Sequence, residues 1–222
     1  MFQMFNGCSN LQTIDLSCII DTPSLTSTRE MFQSCTKVEN IDLSNWRNAQ
    51  NLAVMQSMYY NCQKLKTVDL SSLVVSKLEN CQQMFRDCFI LEAVSLGNHI
   101  TLNEYRTSNN SSGNGMMSMF INAGKNGTGM IVDLSGFDPT KIKNDSNGNP
   151  WGIGHMFSGC SKLTTVYVSD YWDNSNFSTQ NSDWSQKNAF SGCNSLVGGA
   201  GTTYKANTNL NSYAKVDGGK DD

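Results

Sequence analysis

The chain has 222 residues and a formal net charge of −3, with 16 Lys and Arg against 19 Asp and Glu. This balance leaves no basic cluster of the kind that binds nucleic acid, and no apolar run approaches the roughly 20 residues of a membrane span. We therefore expect neither a nucleic-acid partner nor membrane insertion.

One motif is repeated along the chain with small changes, and a clear copy is MFQSCTKVENIDLS, from Met31 to Ser44. Copies begin at residues 4, 31, 58, 84, 119, 156 and 189, and the last one is degenerate. Repetition at this period indicates stacked units that share a core, so we predict one domain whose repeats span residues 1–196. The first copy has no polar cap, so we expect a missing N-terminal part with an export signal.

Each copy predicts two elements. Apolar residues at the Met position and at one and four residues after it suit a single helical turn that faces inward. Aliphatic residues at plus seven, plus ten and plus twelve end in an alternating pattern, which is typical of a short strand. The predicted strands are Leu11–Leu16, Val38–Leu43, Leu65–Leu70, Leu91–Leu96, Val132–Leu134 and Leu163–Val168. The strand pattern is the signature of leucine-rich repeats. We predict an α/β solenoid of about seven rungs, with a parallel sheet on one face and short helical turns on the return side.

The later repeats contain insertions. These lie within Gly97–Ser118, Lys143–Gly152 and Asp170–Asn188, and the first two are rich in turn-forming residues. After the last repeat the pattern is lost, and residues 197–217 are predicted to form a C-terminal cap. Residues 218–222 are predicted to be a disordered tail.

The motif MF-x-x-C-x-x-L-x-x-IDLS, joined to linkers such as Ser44 to Met58, resembles the BspA-like leucine-rich repeats of bacterial surface proteins. It looks closest to a surface-protein domain of unknown function found in bacterial lipoproteins and adhesins. Departures are Ala123 at the Cys position, and Ser95 and Tyr167 at the strand Asp position. The resemblance implies an extracellular or cell-surface recognition or adhesion module, and it supplies no catalytic residues. An enzyme is therefore not expected.

Six of the eight cysteines occupy one position of the repeat. They are Cys8, Cys35, Cys62, Cys88, Cys160 and Cys193. Side chains stacked in one direction are poorly placed for a disulfide, and no spacing matches a zinc site. We therefore predict buried, reduced thiols in a column, with no metal and no cofactor. Cys18 and Cys81 lie outside this column and are the predicted sites of oxidation.

Four aspartates, Asp15, Asp42, Asp69 and Asp133, share the outward strand position between two apolar residues. One interpretation is that nearby donors hydrogen-bond to them, because like charges in a row are destabilising. The other is that they bind a cation or contact a ligand. Four spread carboxylates do not form the compact oxygen cage that calcium requires, which favours the first interpretation.

The predicted binding surface combines the outward strand positions with the aromatic loop between Asp170 and Asn188. Its candidate residues are Asp15, Asp42, Asp69, Thr165, Tyr167, Tyr171, Trp172 and Trp184. Aromatic side chains in a polar setting favour recognition of proteins or sugars, but they can equally cover the edge of the last repeats. The expected partner is a host or microbial surface protein, with a glycan as the alternative. A structural spacer in a larger surface protein is a third hypothesis.

Overall fold

A computed structural model describes residues 1–97, 99–102, 115–137, 153–168 and 188–197. Within these ranges the chain forms six short strands and no α-helix. The strands are β1 (Thr67–Asp69), β2 (Val75–Leu78), β3 (Ala93–Ser95), β4 (Ile100–Leu102), β5 (Met130–Leu134) and β6 (Leu163–Val168). No helix capable of crossing a membrane is found in these parts of the chain.

Four of these strands form one parallel sheet in the order β1-β3-β5-β6. Equivalent positions of the motif lie opposite each other, so that Val68 pairs with Val94 and Val94 pairs with Val132. β2 and β4 form a second parallel pair. Parallel pairing of the repeated strand segments is thus confirmed, as expected for strands joined by long connections rather than by hairpins.

Four of the six predicted strand segments form strands. The prediction for Leu163–Val168 is confirmed over its whole length, as β6. β1 and β3 are shorter than predicted, since each occupies three residues inside its predicted segment. β5 is longer and begins at Met130 rather than Val132.

The prediction is wrong for the first two segments. Leu11–Leu16 forms no strand, and in Val38–Leu43 only Asn40 makes a bridge, to Thr67. Their apolar residues are nevertheless on the inner side, because Leu16 is buried and so is every apolar residue of the second segment. Alternation in the sequence reports which side is buried, whereas a strand also requires ladder hydrogen bonds to its neighbours.

The Met-Phe segments are stacked turns rather than the predicted helical turns. Around Met31, three amides donate hydrogen bonds to carbonyl oxygens of the next repeat. The bonds are Glu30 N to Gln56 O at 2.9 Å, Phe32 N to Met58 O at 2.9 Å and Ser34 N to Tyr60 O at 2.8 Å. In an α-helix these N–H groups would instead donate to carbonyl oxygens four residues earlier in the same segment. Here they join one repeat to the next.

Two backbone positions with positive φ prevent a helix from forming on either side of each Met-Phe pair. The residue before the Met is left-handed in six repeats, for example Glu30 with φ of 57° and Ser57 with φ of 54°. The third residue after the Met is left-handed as well, and there the chain uses Gly, Asn, Asp or Ser. These residues suit this conformation because they lack a Cβ or have short polar side chains.

The aromatic residues that follow the Met positions form a continuous stack. Their rings are those of Phe5, Phe32, Tyr59, Phe85, Phe120, Phe157 and Phe190. Neighbouring ring centroids are 4.9 to 5.7 Å apart, and the ring planes deviate by 4 to 15°. We call this set the aromatic stack. It lies inside the core, where Tyr59 is completely buried and its hydroxyl has no hydrogen-bond partner.

The core is one cluster of buried side chains drawn from the turns, the strands and the linkers between them, such as Trp46 and Leu52. The Met residues of the central turns are buried, as Met31 and Met58 are 0% exposed. The first repeat differs, because Met4 is 56% exposed.

The predicted insertions, the C-terminal cap and the tail fall largely or wholly outside the described residues. The predicted domain bounds therefore stay predictions.

Candidate functional site

The Asp that four motif copies share closes a local turn. In four copies its Oδ1 accepts a hydrogen bond from the backbone N–H of the Ser two residues later, and the side chain thereby ends the strand segment. The pairs are Asp15–Ser17 at 2.9 Å, Asp42–Ser44 at 2.8 Å, Asp69–Ser71 at 2.9 Å and Asp133–Ser135 at 2.9 Å. The arrangement matches the interpretation in which nearby donors satisfy the carboxylates.

These hydrogen bonds stabilise the charged form of two of the carboxylates. Hydrogen bonds from the side chain and the backbone N–H of Ser17 lower the pKa of Asp15, and those from the backbone N–H and side chain of Ser44 lower the pKa of Asp42. Both aspartates are exposed. Both are therefore ionised at neutral pH, and they add negative charge to this side of the molecule.

The register of the four-stranded sheet aligns two rows of outward residues. The first row is Thr67, Ala93, Ile131 and Thr165, and the second is Asp69, Ser95, Asp133 and Tyr167. We call these eight residues the outward sheet face. The sheet thus brings the predicted site residues Asp69, Thr165 and Tyr167 onto one surface. Asp15 and Asp42 occupy the same motif position but lie outside the strands.

The chemistry of the outward sheet face changes from one end to the other. At the β1 end, Thr67 and Asp69 are exposed, and the neighbouring Lys66 Nζ lies 2.8 Å from Glu39 Oε2. Towards the β6 end, Ile131 is 46% exposed, and the half-buried Tyr167 lies opposite Asp133. One end is polar and charged, whereas the other combines an apolar, an aromatic and an acidic side chain.

The sequence hypothesis named neither Ala93 nor Ile131, and of these two Ile131 is the large hydrophobic side chain. It belongs to the run Met130–Leu134, in which four of five residues are apolar, so the outward member does not stand out. The signal was the alternation of the strand, which places Ile131 on the same side as Asp133.

The aromatic part of the predicted site, Tyr171, Trp172 and Trp184, lies outside the described residues. Its contribution to a surface therefore stays a prediction.

The cysteine column is confirmed for five of its six members. All eight cysteines are free thiols, and Cys35, Cys62, Cys88, Cys160 and Cys193 are buried. Each of these five donates its Sγ–H to the backbone carbonyl of the aromatic residue in the preceding repeat, as from Cys62 to Phe32 O at 3.0 Å and from Cys160 to Phe120 O at 2.8 Å. The motif thus uses Cys as a small apolar residue with a weak donor.

Two cysteine predictions are wrong. Cys8 belongs to the column by position but is exposed, because no described repeat covers it. Cys81 was expected to be open to oxidation, yet it is buried and donates to Gly115 O at 3.3 Å. Burial raises the pKa of the Cys81 thiol to about 12 and that of Cys35 to about 11, so neither forms the reactive thiolate at neutral pH.

No group of three or more His, Cys, Asp or Glu residues within the described ranges is arranged to hold a metal ion.

Residues 1–98 match the model of the DUF285 family, which is described as a Mycoplasma protein of unknown function. A search of curated proteins and a search of solved structures gave no match. The first 98 of the 222 residues, which contain β1, β2 and β3, are therefore similar to the DUF285 family.

Proposed function

We propose that this chain is a solenoid of seven leucine-rich repeats that acts, without catalysis, as a recognition module at a bacterial cell surface. The stacked architecture is supported by the parallel pairing of equivalent motif positions and by the aromatic stack, which takes one ring from each motif copy. The surface location is supported by the resemblance of the motif to BspA-like repeats and agrees with the match over residues 1–98.

The observation that favours recognition is the outward sheet face. Stacked repeats turn equivalent positions into one extended surface, which is how such arrays commonly bind partners. On this surface Ile131 exposes an apolar side chain next to Thr165, and Asp133 lies in the neighbouring row. Binding surfaces typically place an apolar anchor inside a polar rim.

The partner that fits this surface is a protein of the host or of a neighbouring cell. A protein surface can cover both rows at once, with an apolar side chain on Ile131 and basic groups on the acidic positions. Of these, Asp69 is exposed and Asp133 is half-buried. Complementary charge would steer association and fix the orientation of the partner.

A binding screen followed by matched variants tests this proposal. The purified chain is probed against arrays of extracellular-matrix proteins and glycans, and the affinity for any ligand found is then measured with Ile131→Ala. We expect at least a roughly tenfold loss of affinity, which is the effect of an anchor worth about 1.4 kcal/mol. The matched control is Lys77→Ala, because Lys77 is an exposed residue of β2 and lies outside the outward sheet face.

A second variant, Trp172→Ala with Trp184→Ala, separates the two parts of the proposed surface. Loss of binding to a glycan with this variant alone would favour the glycan alternative. Equal affinity of both variants and of the parent chain would contradict binding through these residues, and the absence of any ligand on the arrays would favour the spacer hypothesis.

A further inference from the structure

We propose that the N-terminal end of the stack is a docking surface for one more repeat of the Met-Phe-x-x-Cys type. This surface consists of Met1, Met4, Phe5 and Cys8, whose equivalents in the next repeat are buried, and we call it the N-terminal end face. Its apolar side chains are open to solvent: Met1 is 37% exposed and Met4 is 56% exposed. The proposal is independent of what the outward sheet face binds.

The end face is the same surface that every later repeat buries against its predecessor. Met31, Met58 and Met84 occupy the position of Met4 and are at most 1% exposed. Cys35 and Cys62 occupy the position of Cys8 and are buried. The end face therefore continues an interface that the chain already forms at each junction between repeats.

The backbone hydrogen bonds between adjacent Met-Phe segments all run in one direction, and this direction defines which groups the occupant must present. Amides of one turn donate to the next repeat, as from Phe5 N to Met31 O at 2.8 Å and from Gly7 N to Gln33 O at 2.8 Å. The carbonyls of Met4 and Asn6 stand at the equivalent acceptor positions, and no backbone amide of the described residues donates to them. The occupant must therefore present backbone N–H groups.

The thiol and the ring of the first repeat add two further requirements. Every buried thiol of the column donates to a carbonyl of the preceding turn, so Cys8 would need an acceptor on the occupant. The Phe5 ring stacks on Phe32 at 5.5 Å and remains only half-buried, so a second aromatic ring fits against it. A turn with an aromatic residue after its Met supplies both groups.

A second copy of the chain that docks with its own N-terminal end face does not meet these requirements. Two such faces would place carbonyl acceptors against carbonyl acceptors, with no donors between them. The occupant must instead offer the opposite side of a turn, as each repeat does towards the one that follows it. A Met-Phe repeat stacked in the same direction is the segment that satisfies the carbonyls, the thiol and the ring together.

The test adds such a repeat and follows Cys8. A copy of Thr28–Val54 is fused directly ahead of Met1, with Cys35→Ala in the added copy and Cys18→Ser in the host chain. Cys8 is then the one exposed thiol, since the remaining cysteines are buried. We expect alkylation of Cys8 to slow by at least about tenfold relative to the unfused Cys18→Ser chain, because burial restricts access to brief openings.

The matched control is the same fusion with Phe32→Asp in the added copy. A charged side chain cannot stack on Phe5, so this fusion should leave Cys8 reactive. The midpoint of urea unfolding, which should rise for the first fusion alone, gives a second measurement.

Equal alkylation rates in the fused and unfused chains would overturn the proposal, as would equal protection by the two fusions. Reaction of the buried thiols in the first fusion would also count against it, because the added repeat would then have disturbed the stack instead of extending it.

Discussion

The turns and the strand segments belong to the same repeats, yet they are joined to their neighbours to different extents. The aromatic stack runs from Phe5 to Phe190, and turn hydrogen bonds link the first described repeats as they link the later ones. The sheet begins only at β1, in the third copy of the motif. The first two copies are therefore joined to their neighbours through hydrogen bonds of their turns and linkers, with a single bridge from Asn40 to Thr67 on the strand side.

This difference indicates that the turns hold the repeats in register, while the strands form a surface with one exposed side. A turn buries a Met, an aromatic ring and a thiol and also makes backbone bonds to the next repeat. A strand such as β1 contributes one buried residue, Val68, between two exposed ones. Changes in the turns should therefore cost more stability than changes in the sheet, and the following predictions test that order.

The largest loss of stability is expected from Phe85→Ala. The Phe85 ring is 0% exposed and stacks on Tyr59 at 5.4 Å and on Phe120 at 5.0 Å, so its removal leaves a cavity in the aromatic stack. We expect a loss of about 3–5 kcal/mol in the free energy of urea unfolding. Ile131→Ala, on the outward sheet face, should change it by less than about 0.5 kcal/mol. Similar losses for the two variants would contradict the view that the turns contribute more to stability than the sheet does.

A smaller loss is expected from Cys62→Ala. This change removes a buried sulfur and leaves Phe32 O without the thiol donor that lies 3.0 Å away. We expect the free energy of unfolding to fall by about 2 kcal/mol. Cys8→Ala is the control, because Cys8 has the same motif position but is exposed, and its replacement should be nearly neutral. If Cys8→Ala is as costly as Cys62→Ala, burial is not the reason for Cys at this position.

A gain in stability is expected from Tyr59→Phe. The Tyr59 hydroxyl is buried without a hydrogen-bond partner, and burial raises its pKa, so it stays neutral. Replacing Tyr by the Phe that other repeats use removes this unpaired group and should stabilise the chain by about 1 kcal/mol. The reverse change, Phe85→Tyr, should be destabilising. Thermal unfolding of both variants provides the check, and a loss of stability in Tyr59→Phe would show that the hydroxyl has a partner.

The smallest loss of stability is expected from Asp42→Ala. This change removes the acceptor for Ser44 N–H from an exposed strand segment. We expect Tm to fall by about 1–2 °C. Asp42→Asn keeps an oxygen acceptor and is the control, with a smaller change in Tm.

The lowered pKa of Asp42 also predicts the direction in which stability changes with pH. The pKa of Asp42 is lower in the folded chain than its ordinary value of 3.8, so its contribution to stability is present above that value. It is lost as the pH falls through the lowered pKa. Urea unfolding between pH 6 and pH 2 should therefore show a smaller acid loss for Asp42→Asn than for the parent chain. A parallel pH dependence of the two proteins would contradict this assignment.

The repeats, their buried side and the parallel direction of the strands could be predicted from the sequence, because each depends on the spacing of apolar residues. The turns could not. Apolar residues at Met31, Phe32 and Cys35 are compatible with one helical turn, and the left-handed residue Glu30 gives no local signal, since Glu is not typical of that conformation. Its φ of 57° is maintained by hydrogen bonds to the neighbouring repeat, which a single repeat does not contain.

The candidate site could also be predicted only in part, because alternation identifies outward residues but does not show which positions another segment covers. Strand alternation identified Asp69 and Tyr167 as outward residues, and the structure places them in one row. The exposure of Cys8 and the burial of Cys81 could not be predicted from their repeat positions. Both depend on whether another segment covers them, and this is a property of the assembled stack.

The aromatic stack also determines which lengths of chain the fold can accept. Motif copies begin between 26 and 37 residues apart, yet the rings they contribute stay within 4.9 to 5.7 Å of each other. Added residues are therefore accommodated in the connections, without widening the gap between rings. An engineer could exploit this tolerance by placing a foreign epitope or an affinity tag in a long connection such as the one between β4 and β5, and by leaving every Met-Phe pair unchanged.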